Sequence, residues 1–221
     1  MGKKTILERY QKRFLELVFK EPYILTHYYL TGGTVLSEFY LKHRESYDID
    51  LFTEKEVHLP SIEKFVQTVA RTLGAKELAH RRFLGLHTFF FKFPDGKELK
   101  VDFNYYPFPR INRAKNWRGL EIDSLEDIAV NKIHTISMRP RARDFVDIFF
   151  IFKKQDFSLP YLISLAKAKF DWHIDAIGLG EALAGAVAYK DLPRILLPFE
   201  KKEMDGFFLK LAKSLEKDIF K

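Results

Sequence analysis

The chain has 221 residues, of which 47% are hydrophobic and 30% are charged, so it can bury an ordinary globular core and is not expected to be disordered. It contains no cysteine, which excludes disulfides and thiolate metal sites. The formal net charge of +7 favours polyanionic partners such as nucleotides or RNA, although lysine-rich surfaces also serve solubility.

The sequence predicts a cytoplasmic protein with no membrane partner. The N-terminal stretch MGKKTILERYQKRFLELVF alternates charged and apolar residues and lacks the uninterrupted apolar core of a signal peptide. No stretch reaches the roughly 18 consecutive apolar residues that a membrane-spanning helix needs.

The first part of the chain alternates helix-like and strand-like patterns. Apolar residues recur at helical spacing over Lys4–Phe19 and again over Thr34–Lys42, which predicts two helices. Between them, the run YILTHYYLTGG predicts a buried strand that ends at Gly32. A further amphipathic helix is predicted after Pro60, over Ser61–Leu73.

The segment SYDIDLFT predicts a strand with carboxylates on one face. Successive side chains of a strand point to opposite faces, so Asp48 and Asp50 share one face. Tyr47, Ile49 and Leu51 are predicted on the other face.

A β-hairpin is predicted after the amphipathic helix. The phenylalanine-rich run Arg82–Phe93 predicts one strand, Pro94–Gly96 predicts the turn, and KELKVDFNYYPF predicts the returning strand. Alternation along the returning strand places Lys100, Asp102 and Asn104 on one face.

The second half of the chain is predicted to be helical. Asp123 with Glu126 three residues later predicts the start of a helix that ends near Met138, and the segment ARDFVDIFFIFKK predicts the next helix. Three or four further helices are predicted over Leu159–Lys221. They are predicted to break at five glycines and prolines: Pro160, Gly178, Gly180, Pro193 and Pro198.

These elements predict an α+β fold. A small mixed sheet flanked by helices is expected over residues 1–115, and a helical C-terminal region that completes the active-site cleft is expected over residues 116–221.

The paired aspartates indicate a metal site. Mg²⁺ prefers oxygen ligands and usually binds through one or two carboxylates plus substrate phosphates. Two carboxylates as close as Asp48 and Asp50 repel each other unless a cation lies between them. Asp102 is the best candidate for a third ligand, which would allow two Mg²⁺ ions to assist phosphoryl chemistry. A solvated strand face is the alternative interpretation of Asp48 and Asp50.

The glycine pair fits the same chemistry. Gly32 and Gly33 end a predicted strand and open a predicted helix, where unobstructed backbone amides favour phosphate. Thr34 either adds a hydroxyl or caps the helix. A glycine pair alone is also an ordinary turn, so the interpretation depends on the combination with the aspartates that follow.

The stretch LTGG, a spacer over Thr34–Tyr47 and then DIDL resembles the nucleotidyltransferase superfamily that includes DNA polymerase β. Together with NKIHTISMRPRARDFVDIFFI, it is similar to the AbiEii/AbiGii family, best known as the toxin half of abortive-infection toxin–antitoxin pairs. The resemblance covers most of the chain and is firmest over residues 28–52 and 128–152. It implies a nucleotidyltransferase fold, an NTP substrate and a cognate antitoxin protein as a partner.

The resemblance also implies roles for the residues of the first block. Gly32 and Gly33 would cradle the triphosphate, and Asp48 and Asp50 would bind Mg²⁺. Asp102 would be the third carboxylate and the base that deprotonates the acceptor hydroxyl.

In the second block, the resemblance implies that Lys132 neutralises phosphate charge and that Asp147 is a further active-site carboxylate facing it. Arg143, with Arg139 and Arg141, would meet the triphosphate or an RNA backbone. The alternatives are that Lys132 reaches solvent, that Asp147 pairs with Arg143, and that the arginines cap a helix.

The sequence thus favours an enzyme that moves a nucleoside monophosphate from an NTP to an acceptor hydroxyl, with Mg²⁺ as cofactor. RNA, such as a tRNA end, is the first acceptor, and a protein or small molecule is the second. Two other classes remain open: an inactive nucleotide-binding interaction module, disfavoured by the complete carboxylate set, and an antibiotic-type nucleotidyltransferase, disfavoured by the basic charge.

Overall fold

The computed structural model describes residues 5–216, which form two compact units. The first consists of the described residues up to Phe39 with Ser46–Pro109 and Arg113–Ser124. The second consists of Tyr40–Glu45, Arg110–Asn112 and the described residues from Leu125 onward. The domain boundary predicted between residues 115 and 116 stays a prediction.

The centre of the first unit is a seven-stranded sheet. Its strands are β1 (Tyr29–Thr31), β2 (Ile49–Thr53), β3 (Glu77–Phe83), β4 (Leu86–Lys92), β5 (Glu98–Tyr105), β6 (Lys115–Trp117) and β7 (Leu120–Ile122). Their order across the sheet is β3-β4-β5-β2-β1-β7-β6. β2 runs parallel to β5 and β1 parallel to β7, whereas the other neighbouring pairs are antiparallel. The predicted α+β fold with a mixed sheet is confirmed.

The helices of the first unit are α1 (Arg9–Val18), α2 (Pro22–His27), α3 (Gly32–Val35) and α4 (Leu59–Leu73). α3 continues as a π-helical segment over Leu36–Leu41, whose last two residues belong to the second unit. Phe14 of α1 packs edge-on against Phe65 of α4 and Phe91 of β4. Ile49 of β2 and Phe103 of β5 are fully buried. Strand alternation places Asp50 and Asp102 on the opposite face.

The second unit is helical. It contains α5 (Leu125–Met138), α6 (Ala142–Lys154), α7 (Leu159–Phe170), α8 (Ala176–Ala184) with a 3₁₀ turn over Gly185–Ala188, and α9 (Lys201–Ser214). Phe145 and Phe149 of α6 pack edge-on against Phe208 and Phe207 of α9. Among the described residues, no helix is long and apolar enough to cross a membrane.

Two local predictions before β2 are wrong. The run predicted as one buried strand is helical over Pro22–His27, because Pro22 is well suited to a first helical turn and the Tyr28 amide donates to the Ile24 carbonyl. Only Tyr29–Thr31 is extended. The strand predicted over SYDIDLFT begins only at Ile49, so the exposed Tyr47 and its neighbour Asp48 precede it.

The hairpin predictions are also incomplete. The predicted strand Arg82–Phe93 covers the end of β3, a turn at Leu84 and Gly85, and β4. β3 was not predicted from the sequence, because the side chains of this strand are largely exposed and show no apolar alternation. The hairpin of β6 and β7 was missed as well; Arg118 and Gly119 both have positive φ in its turn.

The helices predicted from Thr34, Ser61 and Asp123 and the helix ARDFVDIFFIFKK are found, with small shifts of their ends. Gly178 and Gly180 lie inside α8 and do not interrupt it. The predicted helix start at Lys4 and the predicted end at Lys221 lie outside the described residues.

Candidate active site

Two of the predicted carboxylates lie side by side in the first unit. β2 and β5 pair in parallel with Asp50 opposite Asp102. Residues opposite each other on neighbouring strands project from the same face. Their neighbours Ile49 and Val101 point into the buried core on the other side. The structure therefore brings Asp50 and Asp102 together on the face away from α1 and α4.

Gly32 allows the chain to pass close to Asp50. Thr31, the last residue of β1, is opposite Asp50 in the sheet, and Gly32 then turns with φ of +78°. A Cβ atom on Gly32 would lie 2.1 Å from Asp50 Oδ2, so no other residue fits there without displacing the carboxylate. Gly33 follows in the first turn of α3. The contact of both glycines with a triphosphate stays a prediction.

Thr34 and Thr31 hold the segments around the carboxylates. The buried Thr34 hydroxyl donates to the main-chain carbonyl of Asp48 and lies 3.0 Å from the Ser46 hydroxyl. The Thr31 hydroxyl donates to Asp123 Oδ2 at 2.6 Å, which ties the end of β1 to the residue after β7. These contacts give Thr34 a positioning role for Asp48, and its predicted contact with a nucleotide stays a prediction.

Lys100 is a cation at this site that the sequence analysis noted only as part of a polar face. Its Nζ lies 2.7 Å from Asp102 Oδ2 and 3.1 Å from Asp48 Oδ2. Burial on its own would lower the pKa of Lys100, but the hydrogen bond to Asp102 and the charges of Asp48, Asp102 and Asp50 outweigh it and raise that pKa. Its position two residues before Asp102, on the same strand face, was the signal that could have identified it.

The donor atoms of this site suit Mg²⁺. Asp102 Oδ1 is buried and, among the described residues, has no hydrogen-bond partner. Such an oxygen is costly unless a cation or donor meets it. Within residues 5–216, no group of three or more histidine and carboxylate side chains is placed to hold a metal ion. Asp50 and Asp102, aligned on neighbouring strands, would suit the mode in which Mg²⁺ uses one or two carboxylates and completes its shell with substrate phosphates. The ligand set of Asp48, Asp50 and Asp102 stays a prediction.

Asp147, predicted from the second block, is fully buried in the second unit among three basic groups. Its carboxylate accepts two hydrogen bonds from Arg44, from Nε at 2.6 Å and from Nη2 at 2.9 Å. His43 Nε2 lies 2.7 Å from Oδ1, and Lys132 Nζ lies 2.8 Å from Oδ2. Burial on its own would raise the pKa of Asp147, but the charges of Lys132 and Arg44 hold it well below its usual range.

Lys132 connects two carboxylates of α6. Its Nζ also lies 2.6 Å from Asp144 Oδ1, so the predicted approach of Lys132 to Asp147 is found together with a partner that the sequence analysis missed. Arg143, in the first turn of α6, is half-buried. The described contacts make Asp147 the centre of a buried ion-pair cluster inside the second unit. The predicted catalytic roles of Lys132 and Asp147 and the predicted nucleotide contact of Arg143 stay predictions.

A strand that ends in a glycine pair, a helix after it and carboxylates aligned on a mixed sheet define the nucleotidyltransferase class. The chain belongs to the family described as nucleotidyl transferase AbiEii toxin of type IV toxin–antitoxin systems, whose model matches residues 13–218. It is therefore a nucleotidyltransferase, as the sequence predicted.

The chain is also similar to individual proteins in sequence and in fold. The uncharacterised protein aq_aa25 of Aquifex aeolicus (strain VF5) is 30% identical over 166 residues, which are 74% of this chain and 76% of that protein. A candidate nucleotidyltransferase and the protein JHP933, both from Helicobacter pylori, have solved structures that match with TM-scores of 0.60 and 0.58. Each match covers 95% of this chain, with 93% and 90% of the respective relative, at 18% identity. At that identity the two structures show the fold.

The close approach of Gly32 to Asp50 gives a first prediction. Gly32→Ala must displace the Asp50 carboxylate and also adopts a positive φ, so we expect a loss of about 1–3 kcal/mol of stability and loss of nucleotidyl transfer. Gly96→Ala is the matched control, because Gly96 has φ of +80° and nothing lies within 4 Å of its added Cβ. Denaturant unfolding should show a lower free energy of unfolding in both variants. A transfer assay should show loss of transfer only in Gly32→Ala. Equal transfer in both would contradict the proposed importance of this approach.

The position of Lys100 gives a second prediction. Lys100→Met leaves Asp48 and Asp102 without their shared cation, so the metal-free variant should melt at a lower temperature than the parent. Added Mg²⁺ or Mn²⁺ should then raise the melting temperature more in the variant than in the parent, because the metal no longer displaces an ammonium group.

Lys92→Met is the control for this comparison. Lys92 pairs with Glu77 at 2.8 Å, and both side chains are substantially exposed, so its removal should change stability by less than about 1 kcal/mol. If Lys100→Met and Lys92→Met responded to the metal ions alike, Lys100 would not compete for the carboxylates.

The buried ion pairs of Asp147 give a third prediction. Asp147→Asn leaves Arg44 and Lys132 without the negative charge of Asp147, so we expect the free energy of unfolding to fall by about 3–5 kcal/mol at neutral pH. The pKa of Asp147 is lower in the folded than in the unfolded chain, so its stabilisation is complete above the unfolded pKa of about 4 and is lost as the pH falls below it. The difference in unfolding free energy between parent and variant should therefore shrink below about pH 4.

Asp156→Asn, which changes an exposed carboxylate of the second unit, is the control and should leave stability within about 0.5 kcal/mol of the parent. A stable Asp147→Asn variant that has lost transfer would contradict the supporting role and favour the catalytic role predicted from the resemblance.

Proposed function

We propose that this chain is a Mg²⁺-dependent enzyme that transfers a nucleoside monophosphate from an NTP to an acceptor hydroxyl of RNA. The observation that carries the proposal is the alignment of Asp50 with Asp102 beside the Gly32 turn. This arrangement combines carboxylate ligands with a glycine backbone close to them, which is what a metal-bound triphosphate requires.

In this proposal, Asp48, Asp50 and Asp102 hold Mg²⁺, with two ions in the complete site. Bound Mg²⁺ would neutralise charge on the triphosphate and stabilise the departing pyrophosphate. Lys100, whose Nζ contacts Asp48 and Asp102, would have to give up these contacts for both carboxylates to serve as ligands. The backbone amides of Gly32 and Gly33 orient the phosphates.

The reaction then needs one proton acceptor. The acceptor oxygen forms a bond to the α-phosphorus of the NTP while the bond from that phosphorus to the bridging oxygen breaks, and pyrophosphate leaves. We propose that Asp102 receives the proton of the acceptor hydroxyl, because its buried Oδ1 lacks a hydrogen-bond partner among the described residues.

For Lys132 and Arg143, which lie in the second block of the family resemblance, the proposed roles come from that resemblance. Lys132 would neutralise phosphate charge and Arg143 would contact a nucleotide, as the resemblance implies. Asp147 would keep Lys132 and Arg44 charged and fixed, as its contacts favour.

The biological role is proposed from the family description. A type IV toxin–antitoxin family supports a toxin-like role and a cognate antitoxin as a partner. The net charge of +7 supports RNA as the acceptor, with a tRNA end as the first candidate. We also propose that the protein acts in the cytoplasm, where NTPs and tRNA are available.

The fourth prediction tests the transfer itself. The parent protein and Asp50→Asn are each incubated with Mg²⁺, one of the four α-labelled NTPs and total cellular RNA. We expect label on an RNA band with the parent and a loss of at least about 100-fold in the variant, because the variant lacks a metal-binding charge. Asp48→Asn should behave as Asp50→Asn does, and Asp156→Asn should behave as the parent does.

The outcomes separate the alternatives. Label on protein or on a small molecule would replace RNA as the acceptor and keep the enzyme class. Substantial labelling by Asp50→Asn would contradict the metal assignment. No label on any acceptor, with no stabilisation of the fold by Mg²⁺ and NTP, would favour the inactive interaction module.

A further inference from the structure

The sheet face that carries the carboxylates continues to the edge of the sheet. Asp102 of β5 is opposite Thr88 of β4, and Thr88 is opposite Arg81 of β3. Asp50, Asp102, Thr88 and Arg81 thus form one row across four strands and project from the same face. With strands about 4.8 Å apart, the backbone of Arg81 is about 10 Å from that of Asp102.

The neighbouring rows place two phenylalanines beside Arg81. Phe90 of β4 is opposite Lys100, and Phe83 of β3 is opposite Leu86, which is in turn opposite Asn104. Phe83 and Phe90 therefore share the face of the carboxylates. We call Arg81, Phe83 and Phe90 the edge platform.

The edge platform is open to solvent and partly preformed. The Arg81 guanidinium lies over the Phe90 ring, 5.1 Å from its centroid, and Arg81 is exposed. Phe83 is 73% exposed, and Leu84 beside it is 79% exposed in the turn to β4. α1 and α4 pack against the other face, where Phe91 meets Phe14. Phe83 therefore has no role in the core of the first unit.

Protection of an edge strand explains only part of this pattern. Charged side chains on an outer strand discourage pairing with other chains, which accounts for Arg81 as a surface residue. It does not account for a phenylalanine left on the same strand in solvent, because an exposed ring invites association rather than preventing it.

We propose that the edge platform holds the unpaired end of an RNA acceptor, whose terminal hydroxyl lies at Asp102. The inference rests on the proposed function and adds the surface that selects the acceptor. Aromatic rings stack on bases of any sequence, and a guanidinium binds phosphate through paired hydrogen bonds. The row changes from acidic at Asp50 and Asp102 to cationic at Arg81. The metal-bound triphosphate would lie at the acidic end, and the polyanionic RNA would contact the cationic end.

Binding of RNA can be measured without catalysis. A short fluorescein-labelled single-stranded RNA is titrated with the protein in EDTA, and anisotropy is followed as the salt concentration changes. We expect Phe83→Ala to weaken binding about 5- to 100-fold and Phe83→Tyr to retain it, because a stacked base needs an aromatic ring. Arg81→Gln should reduce the slope of log affinity against log salt by about 0.7, as expected for the loss of one phosphate contact.

The controls separate a local effect from general loss of charge. Arg71→Gln removes an exposed arginine from α4, in the helical layer on the other face, and should bind RNA as the parent does. Arg81→Lys should keep the salt slope. Melting temperatures of all variants should match that of the parent, because the substituted side chains of β3 and α4 are exposed.

Transfer assays distinguish failure of this inference from failure of the proposed function. We expect stabilisation by Mg²⁺ and NTP to be unchanged in Phe83→Ala and the KM for RNA to rise with kcat nearly constant. Parent-like RNA binding and KM in both Phe83→Ala and Arg81→Gln would overturn the edge platform and leave the enzyme class intact. A parent protein that binds no RNA in this titration would overturn the edge platform whatever acceptor it labels.

Discussion

The alignment of two carboxylates on one sheet face is the feature on which the proposed site depends, because like charges this close favour a cation beside them. The parallel pairing of β2 with β5 places Asp50 opposite Asp102, and the Gly32 turn brings backbone against Asp50. Lys100 offsets part of the charge from within the same sheet. A carboxylate cluster that is tolerated with an internal ammonium group can accept a divalent ion in its place at modest cost, because the ligands do not need to be assembled first.

The second unit handles buried charge differently. Asp147 is fully buried, and both of its carboxylate oxygens have partners among Arg44, His43 and Lys132. Asp102, by contrast, keeps a buried oxygen without a hydrogen-bond partner among the described residues. Saturated ion pairs favour stability or fixed geometry, whereas an unsatisfied oxygen favours a ligand. This difference is the physical reason why we propose the chemistry at Asp102 and a supporting role for Asp147.

The proposed acceptor surface follows from the same sheet. A row of residues across four strands changes from acidic to cationic, and the aromatic rings lie at the cationic end. A sheet presents such a sequence of groups on a single plane, which suits a flat, stacked, negatively charged strand of RNA. The metal site and the acceptor surface would then be two parts of one continuous face.

The sequence by itself determined the class of the protein and the local positions of its candidate metal ligands. Alternation indicated that Asp50 and Asp102 each point away from an apolar face, helical periodicity located α1 and α4, and the start signal of Asp123 and Glu126 located α5, because these patterns depend only on neighbours along the chain. The tertiary structure alone decided which strands are neighbours, and hence that Asp102 lies opposite Asp50 and that Lys100 lies between Asp102 and Asp48. It also decided that β3 exists, since an exposed edge strand gains its stability from hydrogen bonds to β4 and leaves no apolar pattern in the sequence. Arg44, which donates to Asp147, lies 103 positions earlier in the chain, and no local pattern can specify such a contact.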